Sequence, residues 1–454
     1  MLNPADAPDP GRLFSGIDFS TTPAILAAVS GGGDSLAMLI LLHRFLSSID
    51  GPRIVAVTVD HGLRAESGAE AEQVGRFCER AGIAHRTMRW SGNKPATGLS
   101  AAAREARYRL LAEAADEAGA TIIVTGHTAD DQAETALMRR ARGQGRGLAG
   151  MAPATLLEGR IWIVRPLLAV RREALRRLLR GEGVAWIDDP SNENDAYERV
   201  RARSALADTA EFRRTIETVR ITADQRVMHG ERAASLIATH ATMPAPGLTR
   251  LDGEFPAEAD PAAALYALRI LLAVTGGREH LPDAGRASSL LGRLNAGPMR
   301  ATLARAVIDR RRQGTFLLRE GRGLPAQATL TGDALWDGRY RLRTLTGYRP
   351  LELAPLGRIQ AMTDNDAEDG AVPRSLRRAA MAGLPALWRG AECIGRLGET
   401  PVAAVEARPV AAPWARFLPS FDLAPARAIL TLIGGDLPPS PPYRGHETPG
   451  SYGP

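Results

Sequence analysis

At 454 residues the chain is long enough for roughly two to four domains with substantial cores, which excludes a single small module. Its formal charge of +6, from 57 basic and 51 acidic residues, admits an acidic partner such as nucleic acid without requiring one; Lys94 is the only lysine, so arginine content alone carries no argument. Two isolated cysteines, Cys78 and Cys393, are too few for a disulfide framework, a C-x-x-C redox pair or a cysteine zinc site, and they point to a reducing cytoplasm.

The opening residues MLNPADAPDPGR are proline-rich and acidic, unlike a secretory leader, and residues 1–22 are expected to form a disordered extension. No apolar run approaches the roughly 18 residues needed to cross a bilayer, so no membrane partner is expected. AILAAV (24–29) reads as a buried strand, followed by a glycine turn and a helix over 35–46. RIVAVTV (53–59), AHRTMRW (84–90), TIIVTG (121–126) and IWIVRPL (161–167) read as further strands, with helices over 69–82, 99–119 and 129–142. Strands without strict alternation, separated by helices, predict an α/β fold: a parallel, doubly wound, Rossmann-like sheet covered on both faces. Ligands of such sheets bind beyond the carboxyl ends of the strands, which directs attention to the loops after Val29, Val59 and Thr125.

This domain is expected to span 23–208. A mainly helical domain follows over 209–330, ending in a hairpin-like stretch at 301–320. A smaller C-terminal α+β domain covers 331–425. Residues 426–454 are expected to be a disordered tail, with six prolines between 438 and 454.

SGGGDS (30–35) lies between the first strand and its helix. Backbone N–H groups and the positive end of the helix converge there, which suits a phosphate chain, and the glycines allow close approach. Ser30 and Ser35 can add hydroxyl donors beside Gly31, Gly32 and Gly33, while Asp34 can hold a divalent metal or orient the loop. A Walker loop is excluded because the lone lysine precedes Pro95. The segment resembles the pyrophosphate loop of N-type ATP pyrophosphatases, which cleave ATP to AMP and pyrophosphate while adenylating an oxygen.

VDHGLR (59–64), GHTADDQAETALMRRARGQGRGLAGM (126–151), RPLL (165–168) and WIDDPSNENDAYERVRAR (186–203) follow in order. Together with the glycine loop they closely resemble the tRNA(Ile)-lysidine synthases over residues 24–215. The resemblance implies an adenine nucleotide alpha hydrolase-like fold and ATP as a substrate. It also implies a tRNA(Ile) with a CAU anticodon and free L-lysine. ATP would adenylate the C2 oxygen of the wobble cytidine, and the ε-amine of lysine would then displace AMP. Asp189, Ser191, Asn192, Tyr197, Arg199 and Arg203 fit the family pattern, whereas Val200 stands where an asparagine is common.

Beside that resemblance the residues have a chemistry of their own. Asp130 and Glu134 are four apart on one helix, with Asp131 adjacent and His127 just upstream. Such a cluster at a phosphate site can hold Mg2+, with Asp34 and Asp131 as the metal candidates, and can receive a lysine ammonium. It is also what a helix dipole favours at an N-terminus. Asp60 and His61 are placed to meet the nucleotide or to brace their loop. Arg104 and Arg107, spaced i,i+3, could clamp an α-phosphate or form a solvated face. Arg139, Arg140, Arg142 and Arg146 surround a glycine-rich loop suited to an anticodon loop. Arg199, Arg203 and the run Arg310, Arg311 and Arg312 are further candidates for tRNA. Rival readings are another pyrophosphate-loop ligase and a noncatalytic tRNA-binding relative; a homodimer is allowed by the sequence.

Overall fold

The strand Ala24–Ala28 is buried on both faces because it lies in the middle of a sheet. In the computed structural model, which describes residues 8–64, 66–143, 145–188, 198–255, 260–345, 347, 349–363, 372–398 and 402–443, the chain forms two compact units. One comprises Met1–Arg226 with Pro419–Phe421 and Pro439–Pro454; the other comprises Val227–Leu418 with Asp422–Pro438.

The first unit runs α1 (Pro10–Phe14), β1 (Ala24–Ala28), α2 (Gly33–Ser48), β2 (Arg53–Asp60), α3 (Ser67–Arg80), β3 (Ala84–Arg89), α4 (Leu99–Ala118) and β4 (Ile122–Thr125). It continues with α5 (Ala129–Ala141), β5 (Ala154–Leu157), β6 (Ile161–Val164), α6 (Arg172–Gly181), α7 (Glu198–Ala205) and the start of α8 (Thr209–His240). Six strands of its sheet lie in the order β5-β6-β4-β1-β2-β3. Leu26 of β1 sits in register with Val55 of β2 on one side and Ile123 of β4 on the other, all parallel. Sequence order reverses between β1 and β4, which opens a crevice beyond their carboxyl ends where such sheets bind ligands.

The predicted strands and helices of this unit are found within a few residues of the expected bounds. β5 joins the parallel strands by pairing antiparallel with β6. Its four residues, all buried, are too short to show a period. The expected disordered extension is corrected over residues 8–22. Asp9 caps α1 by accepting the Arg12 N–H at 2.8 Å, Pro10 starts the helix, and Phe14, Ile17 and Phe19 are buried. Phe14 and Phe19 pack on Phe45 of α2, with ring centroids 5.6 and 6.2 Å apart.

The second unit corrects the expectation of a mainly helical domain over 209–330. Beside α8, α9 (Pro261–Gly276) and α10 (Ala284–Ala296) it carries an antiparallel sheet. Its strands β7 (Ala241–Ala245), β8 (Leu248–Leu251), β9 (Met299–Leu303), β10 (Ala306–Arg311) and β11 (Gly314–Arg319) lie in the order β7-β8-β11-β10-β9. β7 holds Pro244 and is an edge strand, the place a sheet tolerates proline, and both β7 and β8 are too short for a visible alternation. Two further antiparallel sheets of four and three strands occupy residues between 328 and 409. In the same unit the carboxylate of Asp337 is ringed by Arg305, Arg319 and Arg339, and the Arg319 side chain is fully buried. The expected disordered tail is likewise corrected as far as Tyr443: α11 spans Leu423–Ile433 with Ala426 and Ile429 buried. In the first unit Tyr443 bridges Ile17, and the Asp18 N–H donates to the Pro442 carbonyl.

If residues 8–22 belong to the core of the first unit, Phe14→Ala should destabilise it by about 3–5 kcal/mol, as other buried phenylalanine truncations do. Chemical denaturation followed by tryptophan fluorescence measures this, and a change below about 1 kcal/mol would show α1 to be a surface appendage.

Candidate active site

The loop between β1 and α2 is shaped by hydroxyls and glycines. The Ser35 hydroxyl donates to the Gly32 carbonyl at 2.8 Å, and the Ser30 N–H donates to Ser35 Oγ at 3.2 Å. Gly32 occupies the N-cap of α2 and supplies no side-chain acceptor. The first N–H groups of α2 therefore keep no side-chain cap, and they and the helix dipole favour an anion there. Gly31 adopts φ +85, and a Cβ on it would lie 2.7 Å from Ile187 Cδ1. The Ile187 N–H donates to the Gly31 carbonyl at 3.0 Å, so the segment after α6 backs the loop. Gly126, just past β4, has a similar role: a Cβ there would lie 2.7 Å from the Asp34 carbonyl oxygen. The β4 exit thus comes into close contact with the start of α2.

That proximity brings the acidic residues of α5 to the loop. Thr128 caps α5 in a capping box: its N–H and hydroxyl donate to Asp131 Oδ2 at 2.9 and 2.8 Å, and the Asp131 N–H donates back at 3.3 Å. The other oxygen of Asp131 accepts from Arg172 and Arg199, each at 3.1 Å. Arg172 also donates to Asp34 at 2.8 Å and to Glu134 at 3.1 Å. Glu134, with a side chain only 1% exposed, further accepts from Arg199 at 2.8 Å and Arg203 at 3.0 Å. Asp130 is turned elsewhere: it accepts from the Arg171 guanidinium at 3.2 Å and from the Arg172 N–H at 2.7 Å, fastening the start of α6. Asp130 and Glu134 share a helix face but pair with different guanidinium groups, Arg171 for Asp130 and Arg172, Arg199 and Arg203 for Glu134.

Burial pushes the Asp34 carboxyl up to about 6 from 3.8, and Arg172 offsets this only in part. Asp131 lies below the usual carboxylate range: burial would raise it, but the charges of Arg172 and Arg199 and the Thr128 N–H prevail. His127 is pushed down to about 3 by burial and by the Arg165 charge, so its imidazole is neutral; its Nδ1 lies 2.9 Å from Thr125 Oγ1. Arg165 is buried and donates to the Ala152 carbonyl and to Thr155 Oγ1, at 2.8 and 2.9 Å.

The remaining sequence candidates fall around this centre with varied engagement. Asp60 is buried and accepts from the Gly62 N–H at 2.7 Å and from Arg89 at 3.2 Å, bracing its own loop. Both ring nitrogens of His61 are buried without a hydrogen-bond partner, and burial with the Arg107 charge lowers its pKa. Arg104 and Arg107 lie exposed on α4, with Arg104 over the Tyr108 ring at 5.0 Å. Arg139 donates to the Gly147 and Gly150 carbonyls, both at 2.9 Å, and so shapes the glycine-rich loop. Arg140 pairs with Glu211 at 2.8 Å, and Arg142 pairs with Glu198. Arg146 lies in the short turn Arg146–Ala149 that closes this loop. In the second unit Arg311 pairs with Asp309 at 2.9 Å, Arg310 is half-buried and Arg312 is exposed at the β10–β11 turn. Asp189, Ser191, Asn192 and Tyr197 lie outside the described residues.

Arg171 and Arg172 are the functional candidates that sequence reasoning misses. Their signal is the amphipathic stretch RREALRRLLRG, which begins soon after RPLL ends and forms α6. A glycine loop with an uncapped helix N-terminus, facing carboxylates across the β1–β4 crevice, is the arrangement of a pyrophosphate-loop ATP-binding protein. A family model described as PP-loop domain matches residues 12–210. A tRNA(Ile)-lysidine synthase of Mesorhizobium japonicum is 52% identical over 96% of this chain and 97% of its own length. Those of Brucella canis and Brucella suis are each 40% identical, over 94% of this chain and 98% of theirs. The chain belongs to the tRNA(Ile)-lysidine synthase family.

The raised pKa of Asp34 carries a stability consequence. The folded chain binds this proton more tightly than the unfolded one, so the contribution is fully present below about pH 4 and is lost as pH rises through about 6. Asp34→Asn should therefore gain stability relative to the parent between pH 4 and 7, by up to about 3 kcal/mol. Denaturation midpoints across that range test it, and a difference that does not vary with pH would place the Asp34 carboxyl at its ordinary value.

Proposed function

We propose that this chain is the enzyme its family name describes, acting on the wobble cytidine of a CAU-anticodon tRNA(Ile) with ATP and free L-lysine. The observation that carries this reading is the intact glycine loop, whose Asp34 is joined through Arg172 to Asp131 and Glu134, within a chain 52% identical along nearly its whole length to a lysidine synthase. In the first step the cytosine C2 oxygen attacks the α-phosphorus of ATP and the bond to the β-phosphate bridge breaks. Pyrophosphate leaves into the N–H groups of Gly33 and Asp34 at the head of α2, those of Ser35 and Leu36 being taken by the Gly32 carbonyl. Arg104 and Arg107, exposed on α4, are available to the α-phosphate. In the second step the lysine Nε attacks C2 and the bond to the AMP oxygen breaks. Lysine arrives as an ammonium with a reference pKa near 10.4, so it must give up a proton; Asp131 and Glu134 are the proposed acceptors, and each must exchange one of its partners among Arg172, Arg199 and Arg203 for the incoming ammonium.

Among the described residues no three His, Cys, Asp or Glu side chains gather as a metal-binding set. Magnesium commonly takes only one or two carboxylates and completes its shell with substrate phosphates and water, and Asp34 beside the phosphate loop fits that pattern. Asp131 fits less well, since its oxygens already serve Thr128, Arg172 and Arg199. Bound with ATP, Mg2+ would neutralise charge that builds on the departing pyrophosphate. His127, neutral beside Thr125, acts as a hydrogen-bonding group at the β4 exit. The arginines 139, 140, 142, 146, 199, 203, 310, 311 and 312 remain the proposed contacts to tRNA.

Incubation with ATP, radiolabelled lysine and unmodified CAU-anticodon transcript, followed by nucleoside analysis, tests the reading. Lysidine should form only when all three are present; pyrophosphate release without lysine incorporation would overturn it. Within that assay Asp34→Ala should abolish pyrophosphate release while tRNA binding is largely kept. Glu134→Gln should slow lysine transfer more than adenylation, so that adenylated tRNA accumulates. Equal losses in both steps would assign Glu134 to the nucleotide half of the site.

A further inference from the structure

Arg172 is absent from every role assigned so far, yet it is the residue that joins the site. Asp34 stands on the glycine loop, Asp131 and Glu134 stand on α5, and Arg172 opens α6. One guanidinium reaches all three: Nε to Asp34 at 2.8 Å, Nη2 to Asp131 and Nη1 to Glu134, both at 3.1 Å. Its own backbone N–H is held by Asp130 at 2.7 Å, so the side chain is launched from a fixed point. The side chain is only 17% exposed, and its planar fork serves each of the three carboxylates from a different nitrogen.

We propose that Arg172 is the positioning residue of this site, a resident cation that holds Asp34, Asp131 and Glu134 as one set and keeps free divalent metal out of it. Without that guanidinium Asp34 loses its ion-pair partner, and three carboxylates are left with only Arg199 and Arg203, which reach Asp131 and Glu134; the uncompensated negative charge at Asp34 then favours a hard divalent cation. With it, the phosphate end of the site, at Asp34, and the end at Glu134 are kept at a fixed spacing. The kinetic consequence rests on the reaction proposed above; the metal-binding consequence does not.

Arg172→Ala, Arg172→Gln and Arg172→Lys test the proposal. The metal arm uses Mn2+ alone, without ATP or tRNA, followed by electron paramagnetic resonance. The alanine and glutamine variants should bind Mn2+ at least about tenfold more tightly than the parent, because the resident charge is gone, whereas the lysine variant should not. In the kinetic arm, kcat for pyrophosphate release should fall by about 100-fold in Arg172→Ala with KM for ATP changed far less. Free guanidinium should restore part of the rate, and Arg172→Lys should recover less than the parent because an ammonium is a point charge. Should the alanine variant fail to fold, the glutamine and lysine pair decides the metal arm alone. Unchanged Mn2+ affinity in the uncharged variants overturns the proposal, as does a kinetic loss confined to KM for ATP. A parent protein that makes no lysidine while its variants still gain Mn2+ would count against the proposed reaction and leave the role of Arg172 standing.

Discussion

The shared guanidinium of Arg172 is the interaction on which the rest of the first unit's chemistry depends. A parallel sheet with β1 beside β4 places the ends of two distant segments, one carrying Asp34 and the other Asp131 and Glu134, against each other. Such proximity is a liability before it is an asset, since like charges repel and buried carboxylates resist ionisation. The rise of Asp34 toward 6, even with Arg172 in place, shows how strong that resistance is. Arginine resolves it where lysine would not, because its charge is spread over a rigid fork and survives burial. The glycines act in the same service: Gly126 lets the β4 exit reach the backbone of Asp34, and Gly31 makes room for Ile187.

Much of this site is legible in the amino-acid sequence. The glycine loop, the β1, β2 and β4 exits and the α5 carboxylates are local features, and apolar runs broken by helix periods locate them along the chain. Pairing at long range is not legible in that way. Asp130 and Glu134 share a helix face by simple spacing, yet Asp130 serves the start of α6 while Glu134 is enclosed by arginines from α6 and α7. Asp131 admits two readings, dipole-favoured helix start and ligand carboxylate. In the structure Oδ2 completes the capping box, while Oδ1 is taken by Arg172 and Arg199, partners that the local sequence does not reveal.

The second unit is the least legible for a different reason. Pro244 in β7, strands of four and five residues and a turn at Gly247 conceal a sheet that is built from segments far apart in sequence. Its ion cluster at Asp337 draws arginines 305, 319 and 339 together, and a fully buried Arg319 is a costly choice for stability. Each arginine there also reaches backbone carbonyls, such as Gly323 and Gly383, so the cluster ties loops as well as charges. In a chain with one lysine, arginine fills structural, catalytic-site and surface duties alike, and its function at any position is set by its partners rather than by its charge.

The meeting of Ile17 with Tyr443 bears on how the protein is made. A ribosome delivers the chain from the amino end, and domains generally fold as they emerge. The segment around Phe14 can settle on Phe45 early, yet the strand bridge from Ile17 and the acceptor for the Asp18 N–H arrive only with Pro442 and Tyr443. Every residue of the second unit is synthesised in between. The first unit therefore remains unfinished at one edge until the second unit has been synthesised, and the Ile17–Tyr443 contact closes a loop of more than four hundred residues.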